Sequence, residues 1–100
     1  MLQRKIRESY IEKKVTTIAK QNNWLSYKWV SPSQKWVPDR LFFKDGVIKI
    51  VEFKAPNKKP TKGQKLIHQT LAKAGFPVYV IDNVKDGGDL FPKNLNQESK

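Results

Sequence analysis

The sequence predicts an α/β domain, a small mixed sheet flanked by helices in the order α-β-β-β-α-β. Three observations carry that expectation. Asp45-Gly46 sits between two apolar runs, Leu41-Phe42-Phe43 and Val47-Ile48-Lys49-Ile50-Val51, which marks a β-hairpin. Thr61 opens a helical pattern that Gly75 closes, with Pro77 beyond. Pro77 to Asp82 is then a short apolar strand, so strand 47–54, helix 61–74 and strand 78–82 make a right-handed β-α-β crossover. One hundred residues, 38% hydrophobic and 29% charged, suffice for one domain with a single core. That domain is expected over residues 1–92, with a polar, flexible tail at 93–100.

Residues 3–21 read as the first helix. Ile6, Ile11, Val15 and Ile18 give an incomplete apolar stripe, with Tyr10 beside it. Glu8 and Glu12 lie four apart, on one face near that stripe. Spacing alone makes Glu12 a surface glutamate paired with a Lys or Arg. Asn22-Asn23 stops the helix. Trp24 to Val30 alternates and is rich in strand formers, so it is the first strand, antiparallel to one starting at Asp39. Lys28, taken by itself, reads as a solvated edge lysine. Ser31 to Trp36 is a loop by composition and leads straight into Asp39. Trp36 and Lys35 could stack on a base and hold a phosphate, but a tryptophan beside a strand is more often packed into the core.

The hairpin is the stretch that gathers chemistry. With Asp45-Gly46 as a two-residue loop, Lys44 faces Val47, Phe43 faces Ile48, Leu41 faces Ile50 and Asp39 faces Glu52. Lys54 lies two along from Glu52 and points to the same side. One face thus carries Leu41, Phe43, Ile48 and Ile50, then two carboxylates and an ammonium at its open end. A slip of one residue would separate the acids. Paired anions persist when a cation lies between them or when one is protonated. Hard oxygens at this spacing suit Mg²⁺, and a neighbouring lysine can orient water and neutralise charge on phosphorus.

The rest of the chain supports that site. Ala55 to Pro60 is a basic, proline-bounded loop, and Lys58, Lys59 and Lys62 cluster beside the acids, where phosphate contact is the favoured role. In the helix 61–74, Leu66, Ile67, Thr70, Leu71 and Ala74 are the expected buried face, and Gln64 lies at its border. His68, the lone histidine, reads as a surface or core-edge residue. Pro77 to Asp82 is continuously apolar, as a buried parallel strand is. Asp86-Gly87-Gly88-Asp89 is an expected turn, with Leu90-Phe91 docking on the core.

Composition narrows the partners. Twenty Lys and Arg against nine Asp and Glu leave a net charge of +11, which favours a polyanion, nucleic acid first. There is no cysteine, so disulfides, zinc thiolates and thiol catalysis are excluded. No apolar run approaches the roughly 20 residues of a membrane span, and no signal-peptide core is present. The chain is expected to be soluble and cytoplasmic, in a host cell if a virus or phage encodes it.

Pro38-Asp39 followed by Glu52-Phe53-Lys54 resembles the PD-(D/E)xK nuclease motif. The wider text resembles the virus-type replication-repair nuclease (VRR-NUC) domain over about residues 8 to 82: Tyr27-Lys28, Ser31-Pro32, Val37-Pro38-Asp39-Arg40, Glu52-Phe53-Lys54-Ala55, and Gln64 before a helix ending at Gly75. Trp36 and Val37 depart from it, since the family often has Gly-Val or Gly-Thr before the proline. The resemblance implies the PD-(D/E)xK core and metal-dependent hydrolysis of DNA. Asp39 and Glu52 would hold Mg²⁺ or Mn²⁺ with the Phe53 carbonyl, Lys54 would activate water, and Gln64 would orient water or phosphate. The family's helical acid matches Glu12, acting through water, with Glu8 as the alternative. Lys28, Lys35, Arg40, Lys58, Lys59 and Lys62 would contact DNA. Stand-alone members resemble junction resolvases and tend to be homodimers, so branched or four-way-junction DNA is the expected substrate. Two rival readings remain: a non-catalytic basic DNA-binding module on the same fold, and a flap, nicking or restriction-type nuclease. For the restriction type, little chain is left over to read bases.

Overall fold

A computed structural model describes residues 6–93. Residues 3–5 of the expected first helix and 94–100 of the expected tail lie outside the described residues. The elements are α1 (Glu8–Gln21), β1 (Leu25–Lys28), β2 (Arg40–Lys44), β3 (Val47–Phe53), α2 (Lys62–Lys73), β4 (Val78–Ile81) and α3 (Val84–Asp89). The four strands form one sheet in the order β1-β2-β3-β4. β1 and β3 run antiparallel to β2, and β4 runs parallel to β3. The expected mixed α/β sheet is present.

The hairpin has the expected register: Lys44 faces Val47, Phe43 faces Ile48 and Leu41 faces Ile50. Asp45 (φ 50°) and Gly46 (φ 81°) both adopt left-handed conformations, as the tight turn that suits strand twist requires. Alternation along β2 and β3 then divides the sheet. Phe42, Val51 and Phe53 enter a core with Ile11, Val15 and Ala19 of α1, and with Trp24, Ile81 and Phe91. Glu52, alternating with Val51 and Phe53, points to the face that α2 covers. The two long helices therefore flank opposite faces.

Phe91 docks as expected, fully buried, with its ring centroid 4.5 Å from that of Phe42 and 5.1 Å from that of Trp24. Lys49 closes over this cluster, with its ammonium 5.6 Å from the Trp24 ring centroid, and donates to the Leu90 carbonyl at 2.9 Å.

Three expectations are corrected. Asp86-Gly87-Gly88-Asp89 is not a free turn but part of α3, which is capped by Asn83 accepting from the Asp86 N–H at 2.8 Å. A Cβ on Gly87 would collide with Val15 and come within 3.0 Å of Ile81, so the glycine serves close approach rather than chain reversal. α2 starts at the expected Thr61 cap, but none of its residues is buried. Leu66, Thr70 and Ala74 are exposed, because α2 covers only part of its sheet face. β4 is parallel as expected, yet it lies at the sheet edge with Tyr79 and Val80 exposed.

Candidate active site

The site lies where β2 begins and β3 ends. Pro38 is fully buried and fixes the approach to Asp39. The Asp39 backbone is held twice: its N–H donates to the Val51 carbonyl at 3.1 Å, and its carbonyl accepts from Trp29 N–H at 2.9 Å. Its carboxylate folds back, with Oδ2 accepting from the Phe53 N–H at 2.7 Å. The regular ladder ends at Arg40 opposite Val51, so this side-chain bond replaces the next rung. It also brings the Asp39 carboxylate to the end of β3, next to Glu52.

Glu52 is 2% exposed. Its Oε2 accepts from Gln64 Nε2 at 3.0 Å and lies 4.0 Å from Lys54 Nζ. Its Oε1 has no hydrogen-bond partner and lies 3.5 Å from His68 Nε2. Burial, and then the charge of Asp39, push the Glu52 carboxyl up to about 8, against the pull of Lys54. Burial also raises Asp39, although the Phe53 N–H opposes it. Burial and Lys54 lower His68, so its imidazole is neutral near pH 7 and its contact with Glu52 is no charged pair. Glu8 is raised by its own burial and then by Asp39, which places α1's first turn within electrostatic reach of the acids.

These features test the fit of a divalent ion. Two desolvated carboxyls with raised pKa values, one with a buried unpartnered oxygen, gain most from a nearby cation. No three His, Cys, Asp or Glu side chains converge on a metal position among the described residues. The side chains on offer are thus the two carboxylates of Asp39 and Glu52. That matches an ion that keeps several waters.

Asp39, Glu52, Lys54 and Gln64 therefore come together. Glu12 and Arg40 meet each other instead: Arg40 Nε donates to Glu12 Oε2 at 2.7 Å and its Nη1 to Ser26 Oγ at 3.1 Å. Arg40, expected among the DNA contacts, is thus committed to an internal ion pair and only 18% exposed in its side chain. Lys28 stands 4.0 Å from the same Glu12 oxygen with most of its side chain in solvent. Lys35, Lys58, Lys59 and Lys62 are exposed. His68 is the site residue that sequence reasoning missed. The available signal was its spacing of four from Gln64, which stacks both on one side of α2.

No family model matches the chain. A solved structure described as "VRR_NUC domain" superposes with a TM-score of 0.76 at 28% identity, over 83% of this chain and 91% of that one. The protein named "Putative nuclease p44", from Acyrthosiphon pisum secondary endosymbiont phage 1, is 42% identical over 90 residues, 89% of this chain and 96% of its own. The chain belongs to the VRR-NUC family. Its small sheet and flanking helices are the VRR-NUC fold. No helix among the described residues is long and apolar enough to cross a membrane.

Proposed function

We propose that this VRR-NUC protein is a metal-dependent, structure-selective DNA endonuclease that hydrolyses phosphodiester bonds, with a four-way (Holliday) junction as its characteristic substrate. The observation that carries the hydrolytic reading is the buried Glu52 carboxyl beside half-buried Asp39, with Lys54 next to it. Asp39, Glu52 and the Phe53 carbonyl would hold Mg²⁺ or Mn²⁺, with Glu12 or Glu8 acting through water. Such an ion supplies Lewis acidity toward a phosphate oxygen and makes bound water more acidic. Lys54 orients the attacking water and balances charge developing on the phosphoryl group. Gln64 holds one oxygen of Glu52 by a hydrogen bond, and His68 borders the other.

Net charge and the exposed Lys58, Lys59 and Lys62 beside the site support a DNA substrate gripped through its phosphates. Exposed Leu25, Tyr27 and Ile48 support a homodimer through the open sheet face. A two-fold dimer presents two equivalent sites, which suits paired cuts in a symmetric junction. The phage relative supports action in a host cytoplasm.

The test is a cleavage panel of single-strand, duplex, flap, splayed and four-way DNA with Mn²⁺, run beside Glu52→Gln. Paired nicks in the junction and little action on duplex are expected, with the variant inactive. Cleavage by Glu52→Gln at the wild-type rate would place the chemistry elsewhere. Equal cutting of duplex and junction would remove the structural selectivity alone.

A further inference from the structure

We propose that Trp36, with Lys62, Lys65 and Leu66, forms a shelf that takes one unpaired nucleobase of the DNA close to the phosphate being cut. The proposal rests on the nuclease reading and names what the site selects.

Trp36 is not the core residue its position beside a strand suggests, since half of its surface is exposed. Its φ is 65°, in the left-handed region that a bulky residue seldom adopts. Backbone of that kind persists where its surroundings hold it, and here the indole rests on Gly63 in the first turn of α2. A Cβ on Gly63 would lie 2.5 Å from two indole carbons, so only glycine leaves room for the ring. Beside the ring opens a cavity of about 620 Å³, lined by Trp36, Lys62, Gly63, Lys65, Leu66 and Gln69.

The chemistry of this cavity is specific. Its floor is an indole and a leucine that is 59% exposed. Lys62 and Lys65 line it, Lys35 stands 5.9 Å from the Trp36 ring centroid, and no acid lines it. An aromatic floor with a cationic rim matches a flat base and its flanking phosphates. Lipid is a poorer match, because the apolar surface is a recess rather than a protruding helix face.

Position ties the shelf to catalysis. Trp36 lies three positions before Asp39, so their Cα atoms lie within about 11 Å, the span of roughly three stacked nucleotides. Gly63 is followed directly by Gln64, which holds Glu52. A base in intact duplex is already stacked and paired and does not reach the indole without disrupting the helix. An unpaired base at a branch is free to do so. The shelf thus gives the enzyme a physical means of telling branched DNA from plain duplex.

The experiment measures binding without turnover, using the full chain in Ca²⁺. The probes are a splayed DNA and a fully paired duplex, together with splayed DNAs carrying single abasic nucleotides at successive positions. One abasic position should weaken wild-type binding by about tenfold or more, as loss of one stacked base does. Trp36→Ala should show the same loss on intact splayed DNA, no further loss at that position, and duplex binding within about twofold of wild type. Trp36→Phe should restore most of the affinity. A flat abasic series on the wild type would overturn the shelf, even if Trp36→Ala fails to fold. So would equal losses on splayed and paired DNA, or dissociation of a dimer by Trp36→Ala. Failure of cleavage with an intact abasic signature would remove only the hydrolytic reading.

Discussion

Gln64 uses both ends of its amide. Its Oε1 accepts from the Thr61 N–H at 2.9 Å, completing a capping box, while its Nε2 donates to Glu52 at 3.0 Å. The cap therefore sets which end of the amide faces the acid. Gln64→Glu keeps an acceptor for the cap but presents a third carboxyl to Glu52. We expect an intact helix cap and a larger rise in Tm on adding Mn²⁺ than the wild type shows, because the third carboxyl adds repulsion that a cation relieves. Proton linkage gives a second prediction. Glu52 ordinarily titrates near 4.5 and is held up to about 8 in the folded chain. Its contribution to metal-free stability is complete below the lower value and is lost as pH rises through the upper one. Metal-free Tm should therefore fall between about pH 5 and pH 8.5. Glu52→Gln, which carries no titrating proton, should melt several degrees higher at the alkaline end, since about 1 kcal/mol moves Tm by 4–8 °C in a domain of this size. Metal uptake near pH 7 should release about one proton, seen as a buffer-dependent heat. A Tm flat with pH would remove this account.

At the scale of elements, α3 and α2 differ in what holds them. α3 is short but locked against α1 and β4, where Gly87 meets Val15 and Ile81 and Gly88 approaches Ile18. Gly87→Ala should cost about 1–3 kcal/mol in urea unfolding, because an overpacked contact forces the two helices apart. α2 buries none of its residues and depends on its cap and on Gln64. Thr61→Ala should cost about 1 kcal/mol in stability. Its effect on cleavage should be the larger one, because losing the Thr61 Oγ1 that accepts from the Gln64 N–H loosens the first turn that carries Gln64 to Glu52. Comparable losses in stability and activity from the two variants would argue against a special link between the α2 cap and the site. The hairpin is the most local element. Asp45 and Gly46 impose its register without help from the rest of the chain.

Across the whole molecule, charge and apolar surface divide the labour. The net charge of +11 predicts DNA affinity that falls steeply with salt, its logarithm linear in the logarithm of concentration, as counterions released on binding lose their entropic gain. Leu25, Phe43 and Ile48, beside the hairpin turn, line an open recess of about 360 Å³ on the sheet face, suited to meeting a second copy. Ile48→Lys should give a folded monomer by sedimentation. It should also lose paired nicking while retaining single nicks. A wild-type protein that sediments as a monomer on junction DNA would rule out the dimer.

What the sequence determined by itself was local or periodic. Asp-Gly between apolar runs dictated the hairpin, and alternation then carried Glu52 and Lys54 to one side, because strand geometry repeats every two residues. Thr61 announced its own helix for the same local reason. Tertiary structure decided whatever depends on two elements meeting. It paired Arg40 with Glu12, and it brought His68 to the unpartnered oxygen of Glu52. It turned Gly87 from an apparent turn residue into a helix contact and left part of α2's apolar side uncovered. It also laid the Trp36 indole on Gly63, 27 positions later in the chain. No spacing rule spans such distances, since they are set by how helices settle on the sheet rather than by the dihedral period of any one segment.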